Sequence, residues 1–168
     1  EGAIVQLDAS PLFPGGGGQP ADLGTVDGRP VLSVIDHEHL LLAKPPEGEQ
    51  VSVEVDWDRR FDLMQQHTAQ HVISSIALKE FKWSTLSFHL SMDSAFVVFD
   101  VDALLPGDIL ALQDRANDVI REARPIRPRL ATDSDFTSNQ IRCRKLPDKR
   151  SGGLRLVEIE GLDLNTCG

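Results

Sequence analysis

Long apolar runs are missing from this chain of 168 residues. No stretch approaches the roughly 20 residues needed to cross a bilayer. No basic-then-apolar opening reads as a signal peptide. Cysteine is scarce, with only Cys143 and Cys167. That excludes a disulfide scaffold and, with no export signal, sets the expectation of reduced thiols and a cytoplasmic location. Heptads, repeats of fixed period and low-complexity tracts are lacking, one glycine run excepted. Positive charge is in deficit too. With 17 Lys and Arg against 26 Asp and Glu, the net charge is −9 and the pI is near 4.9. A protein that coats nucleic acid non-specifically is therefore disfavoured.

What is present is a chain with 40% hydrophobic and 26% charged residues. That suffices for one ordinary domain, or two small ones, with a real core. The charge is unevenly spread. Residues 1–114 carry 6 Lys and Arg against 18 Asp and Glu, whereas residues 115–155 carry 11 against 5. The basic segment either meets phosphates or forms a solvated helix face and its loops.

Patterning divides the chain near residue 56. Before it, short apolar runs at Ile4–Leu7, Val31–Ile35, Leu40–Ala43 and Val51–Val55 are separated by Gly/Pro turns, as in a small barrel or sandwich. After it, Asp56 or Asp58 can cap a helix from about Arg59 to Lys79. Its apolar and histidine face is Leu63, Met64, His67, His71, Ile76 and Leu78. A strand is expected over Ala95–Asp100. A second helix follows Pro106, with Ile109, Leu112, Ala116, Val119 and Ala123 on one face, and Pro125 stops it. Ile126–Leu130 reads as extended, residues 131–153 as turn-rich, and Leu154–Ile159 as another strand. The expected fold class is α+β: an all-β portion over 1–56 that reads as a small barrel or sandwich, then an α+β portion with an antiparallel sheet and helices over 57–168.

Few residue groups carry chemistry. His67-Thr68-Ala69-Gln70-His71 places two imidazoles at i and i+4 on one helix face, where they can converge on one metal ion or stand as ordinary helix histidines. The glutamate of a zinc-protease motif is missing. Cys167 follows a predicted strand and is either a thiolate ligand or a buried thiol. Gly15, Gly16, Gly17, Gly18 and Gln19 form a loop that is neither a P-loop nor a dinucleotide fingerprint. It can admit close backbone approach or simply make a tight turn. His37-Glu38-His39 would put two histidines on one strand face, with no third ligand near in sequence. Trp57 and Trp83 read as core or interface residues.

Three stretches, in this order, resemble the freestanding alanyl-tRNA editing (AlaX) family. They are Phe13 to Gly24, Met64 to His71 and Ile159 to Gly168. This family is related to the editing domain of alanyl-tRNA synthetase, and the glycine-rich N-terminal portion resembles its longer type. The resemblance implies a small β-barrel joined to an α+β editing domain. The implied activity is hydrolysis of the ester in mischarged tRNA(Ala), chiefly seryl and in some members glycyl. It also implies one Zn²⁺ held by HxxxH and a later CxxxH, which match His67, His71 and Cys167. The fourth ligand would fall at position 171, beyond residue 168.

By the same resemblance, Ser84 or Thr85 contacts the substrate side chain, Gln70 lines the pocket, and the Gly15–Gln19 loop frames it. The partner implied is the tRNA(Ala) acceptor end. Arg121, Arg124, Arg142, Arg144 and Lys145 in the basic segment are the candidates for its phosphates. A membrane role is not expected, and the oligomeric state is left open, a monomer being compatible with all of this. An alternative from another class is a catalytically weak tRNA-binding or protein-interaction module of the same fold. A threonyl-tRNA editor is disfavoured by the glycine-rich portion.

Overall fold

Alternating valines and leucines between tight turns build the first sheet. A computed structural model describes residues 2–137, 141–142 and 153–167. It contains two compact units, Glu1–His67 with His89–Ala95, and Thr68–Phe88 with Phe96–Gly168. Both are mixed structures with antiparallel strands.

In the first unit β1 (Ala3–Gln6), β2 (Gly24–Val26), β3 (Arg29–Val34), β4 (His39–Leu42) and β5 (Val53–Val55) pair in the order β1-β4-β3-β2-β5. All these pairings are antiparallel. Asp27 and Gly28, both at positive φ, make the tight turn from β2 to β3. Leu12, Val26, Val31, Val34, Leu40 and Leu42 form its core. Each such side chain contributes about 1.5–3 kcal/mol by leaving water. Gly24 is required where β2 meets β5, because a Cβ there would lie 2.2 Å from the Glu54 carbonyl oxygen.

The four expected strands are present with ends shifted by at most two residues, and β2 is additional. The His37-Glu38-His39 reading is corrected. Asp36 accepts the backbone N–H groups of Glu38 and His39 at 2.9 and 2.8 Å. The resulting turn keeps His37 out of the strand, and only His39 belongs to β4.

Helix α1 (Trp57–Ile76) follows β5. Asp56 is its cap, its Oδ1 accepting the Arg59 N–H at 3.1 Å. The helix ends in a π-helical turn, Ala77–Phe81, closed by Lys82 at φ 66°. Leu63, Val72 and Ile76 are buried. Met64 and Leu78, expected on the same face, are exposed, because Gln70, His71, Ser74 and Ser75 occupy buried positions of the helix instead. Trp57 is also exposed and stacks on Phe61, whereas Trp83 packs between Phe81 and Phe99.

Strands β6 (Thr85–Leu90) and β7 (Ala95–Phe99) pair with each other. In the second unit, α2 (Pro106–Arg121) begins with proline at its first turn, and Asp108 accepts the Leu105 N–H at 3.3 Å. Its Ala116 and Val119 pack with Val72, Ile76, Ile159 and Leu162. Ile109, expected on that face, is exposed. Strands β8 (Ile126–Leu130), β9 (Arg155–Ile159) and β10 (Asp163–Thr166) form a sheet of order β10-β9-β8. β8 lies at an edge, where Pro128 is tolerated. A one-turn helix, α3 (Asp133–Thr137), lies within the segment expected to be turn-rich. Among the described residues no helix is long and apolar enough to cross a membrane.

Candidate functional site

Helix α1 carries His67 and His71 one turn apart, as the i, i+4 spacing requires. Strand β10 delivers Cys167 to the same place. The turn before β10 is clamped by the Leu162 carbonyl, which accepts the Ser75 hydroxyl at 2.9 Å and the Lys79 ammonium. Arg155 of β9 then fixes the Cys167 backbone, its Nη1 donating to the Cys167 carbonyl at 3.0 Å. One donor atom from each of His67, His71 and Cys167 lies within 4.8 Å of the others.

This donor set can hold a metal. Two imidazole nitrogens and one thiolate suit Zn²⁺, whose tetrahedral bond lengths put neighbouring donors about 3.3–3.6 Å apart. Small side-chain rotations close the difference. The surroundings of His67 fit as well. Its Nδ1 lies 2.9 Å from Gln19 Oε1. An amide oxygen only accepts, so Nδ1 carries the proton and Nε2 is the nitrogen able to ligate a metal.

Gln19 reaches His67 because of the glycines. Gly16 and Gln19 exchange two backbone hydrogen bonds at 2.9 and 3.0 Å. Gly17 and Gly18 turn between them at φ 55° and 85°, values close to the mirror image of a type I turn. The loop is pinned by Asp22, whose buried carboxylate takes the Phe13 N–H at 2.7 Å and the Arg60 Nε at 2.9 Å. The ion pair raises the pKa of Arg60, the hydrogen bond to Asp22 being the main cause. Gly18, Gln19 and Pro20 line a cleft of about 350 Å³ together with Arg59, Leu90 and Met92.

His71 is held from the second unit's sheet. Its Nδ1 lies 3.1 Å from the Asn165 amide nitrogen, 3.3 Å from Arg142 Nη2 and 3.7 Å from Asp163 Oδ2. Burial works against a charge on His71. The hydrogen bonds it donates to Asp163 and Cys167 outweigh it and carry the pKa above the usual imidazole value. Burial likewise works to raise the pKa of Asp163, but the Arg142 guanidinium and His71 hold it below the usual carboxylate range. Sequence reasoning missed Asp163 and Asn165. The alternation Asp163-Leu164-Asn165 ahead of Cys167 is a signal that could have found them, since it turns both polar side chains to one face of β10.

Beside the histidines, Gln70 donates from Nε2 to Ser74 Oγ at 2.7 Å, and Thr85 Oγ1 donates to the same oxygen at 2.8 Å. Gln70 and Thr85 are thus brought together through Ser74, which the sequence did not single out. Ser84 is exposed, and its carbonyl accepts the Asp100 N–H at 2.8 Å. Of the basic candidates, Arg142 is turned inward onto Asp163 at 2.7 Å. Arg121 pairs with Asp118 and Arg124 with Glu122. Arg144, Lys145 and Cys143 lie outside the described residues.

No family model matches this chain. Individual relatives do. It is 39% identical over 170 residues to alanyl-tRNA editing protein Aarsd1 of Danio rerio and 38% identical to that of Mus musculus. Both matches cover 99% of this chain and 41% of the relative, so the chain spans about two fifths of those proteins. Alanyl-tRNA editing protein AlaX-M of Methanosarcina mazei is 30% identical over 193 residues, covering all of this chain and 75% of that protein. With the histidine pair, the late cysteine and the glycine loop all seated in one such chain, it belongs to the alanyl-tRNA editing proteins of the AlaX type.

Proposed function

We propose that this protein is a trans-editing deacylase. It hydrolyses the aminoacyl ester of mischarged tRNA(Ala), with seryl-tRNA(Ala) as the main substrate and glycyl-tRNA(Ala) as the other candidate. The observation that carries this reading is the convergence of His67, His71 and Cys167 beside Gln70 and Thr85. In this reading the N-terminal sheet is the small barrel of the family, and 57–168 is the editing domain. The protein works in the cytoplasm.

His67, His71 and Cys167 would hold one Zn²⁺, with a fourth ligand following Cys167. Bound there, the ion supplies Lewis acidity for polarising the ester carbonyl or positioning a water. The remaining tasks fall to the protein. An aminoacyl ester is already activated, so orientation and a few hydrogen bonds suffice. Gln19 orients His67, and the Asp163, Arg142 and Asn165 group orients His71. Thr85, half-buried and held by Ser74, suits the substrate contact better than exposed Ser84. The Gly15–Gln19 loop frames the pocket.

Specificity follows from unpaired groups. A site built to hydrogen-bond a serine hydroxyl leaves its own polar atoms unsatisfied when alanine binds, and rejects the correct product far better than an apolar pocket can. Arg121 and Arg124, with Arg144 and Lys145, are the candidates for acceptor-stem phosphates. Arg142 serves His71 instead.

The test is deacylation of seryl-tRNA(Ala) beside alanyl-tRNA(Ala) by the full-length protein, with and without chelator. Rapid, chelator-sensitive loss of serine with alanine retained is expected. Hydrolysis no faster than the buffer rate would replace this reading with a tRNA-binding module.

A further inference from the structure

Ser74 is 1% exposed on α1, yet it is the meeting point of two polar side chains. It lies one turn beyond Gln70, on the same helix face. A hydroxyl oxygen offers two lone pairs. Both are used here, one by the Gln70 Nε2–H at 2.7 Å and one by the Thr85 hydroxyl at 2.8 Å.

This arrangement has a consequence for polarity. Thr85 owns a single hydroxyl proton, and that proton is spent on Ser74. Toward any other group the Thr85 oxygen therefore acts as an acceptor. Gln70 points the same way. It is 4% exposed, and its buried Oε1 has no hydrogen-bond partner among the described residues. A buried acceptor left without a donor is costly, so Gln70 Oε1 carries an unmet demand for a donor.

We infer that Ser74 is a positioning residue that consumes the Thr85 proton and so sets the amino-acid pocket to recognise a hydrogen-bond donor. This rests on the reading of Thr85 as a pocket residue. The ligand class is an aminoacyl ester whose side chain carries an O–H. A methyl side chain brings no donor, and a group that only accepts would face the Thr85 lone pairs.

Three variants and two readouts test this. Ser74→Cys keeps the shape but accepts weakly, Ser74→Ala removes the acceptor, and Ser74→Thr restores a hydroxyl. The first readout is the ratio of kcat/KM for seryl-tRNA(Ala) over alanyl-tRNA(Ala), with zinc per chain and Tm reporting on the fold. The ratio is expected to fall about 10–100-fold in Ser74→Cys and Ser74→Ala and to recover in Ser74→Thr. A ratio unchanged in Ser74→Cys, or lost equally in all three variants, would overturn the inference in favour of a packing role. The second readout is the Thr85 hydroxyl proton by NMR, expected to exchange slowly in the wild type and rapidly in Ser74→Cys. If the wild type hydrolyses neither ester, the functional reading fails separately. The hydroxyl proton then decides: slow exchange that is lost in Ser74→Cys upholds the role of Ser74, and rapid exchange in the wild type ends it.

Discussion

Gln19 Oε1 accepts the Nδ1–H of His67 at 2.9 Å. This one bond gives the glycine run its purpose. Four consecutive residues at positive φ, Gly15 to Gly18, fold a loop that side-chained residues would resist. The loop ends by aiming an amide at a candidate metal ligand. Gln19→Leu keeps the bulk and removes the acceptor. Zinc affinity is expected to fall about 10–100-fold, measured by competition with a chromophoric chelator. Unchanged affinity would reduce the loop to a structural turn.

The three-residue donor set makes a sharper prediction about metal. Zinc binding to the folded chain adds stability by mass action, about 2.7 kcal/mol at a hundredfold excess over Kd. Addition of Zn²⁺ should therefore raise Tm in a concentration-dependent way, and chelator should reverse it. Cys167→Ala should abolish most of that rise, and so should His71→Ala. Cys143→Ala, in the same assay, should leave it intact. A rise of equal size in Cys167→Ala would remove this cysteine from the ligand set.

The legible parts of this fold were those with strong periodicity. Val51, Val53 and Val55 alternate, and β5 lies there. The His67–His71 spacing is helical, and α1 spans both. β2 and β10 were less legible because three or four residues with Gly, Thr, Asp or Asn carry little hydrophobic signal. The helix face was misjudged at Met64 and Leu78 because periodicity counts apolar residues, whereas α1 buries Gln70, His71, Ser74 and Ser75. Buried polar side chains need partners, and these partners come from outside the helix: Leu162, in the turn before β10, for Ser75, and Thr85 of β6 for Ser74. Nothing local in the sequence announces such pairings. The same holds for Arg142, whose neighbours suggested a phosphate contact but which turns inward to Asp163.

Asp22 and Arg60 form a buried anchor between the loop and α1. The Asp22 side chain is fully buried, and Arg60 also donates to the Pro11 carbonyl at 2.8 Å. Breaking such a pair strands the remaining charge. Asp22→Ala should cost about 3–5 kcal/mol, read as a lower urea midpoint at unchanged m-value. The same variant frees the Phe13 N–H and loosens the loop. Zinc affinity should drop with it, as in Gln19→Leu. A loss below about 1 kcal/mol would show that water replaces the carboxylate at little cost.

Asp135 accepts two hydrogen bonds from Arg129 at 2.7 Å each, and the backbone N–H and hydroxyl of Thr132 at 2.7 Å each. Arg129 is the main cause of a carboxyl pKa far below the usual range, with Thr132 next. A carboxyl whose folded pKa is depressed contributes stability that is present above its unfolded pKa, about 3.9. That contribution is lost as pH falls from there toward the folded value. The wild-type urea midpoint should therefore drop between pH 5 and pH 3 more steeply than that of Asp135→Asn, which carries no titrating group there. Above about pH 5 the two curves should run parallel, with the variant lower. Parallel curves over the whole range would mean that Asp135 keeps its ordinary pKa and that its four hydrogen bonds add nothing specific to the ionised form.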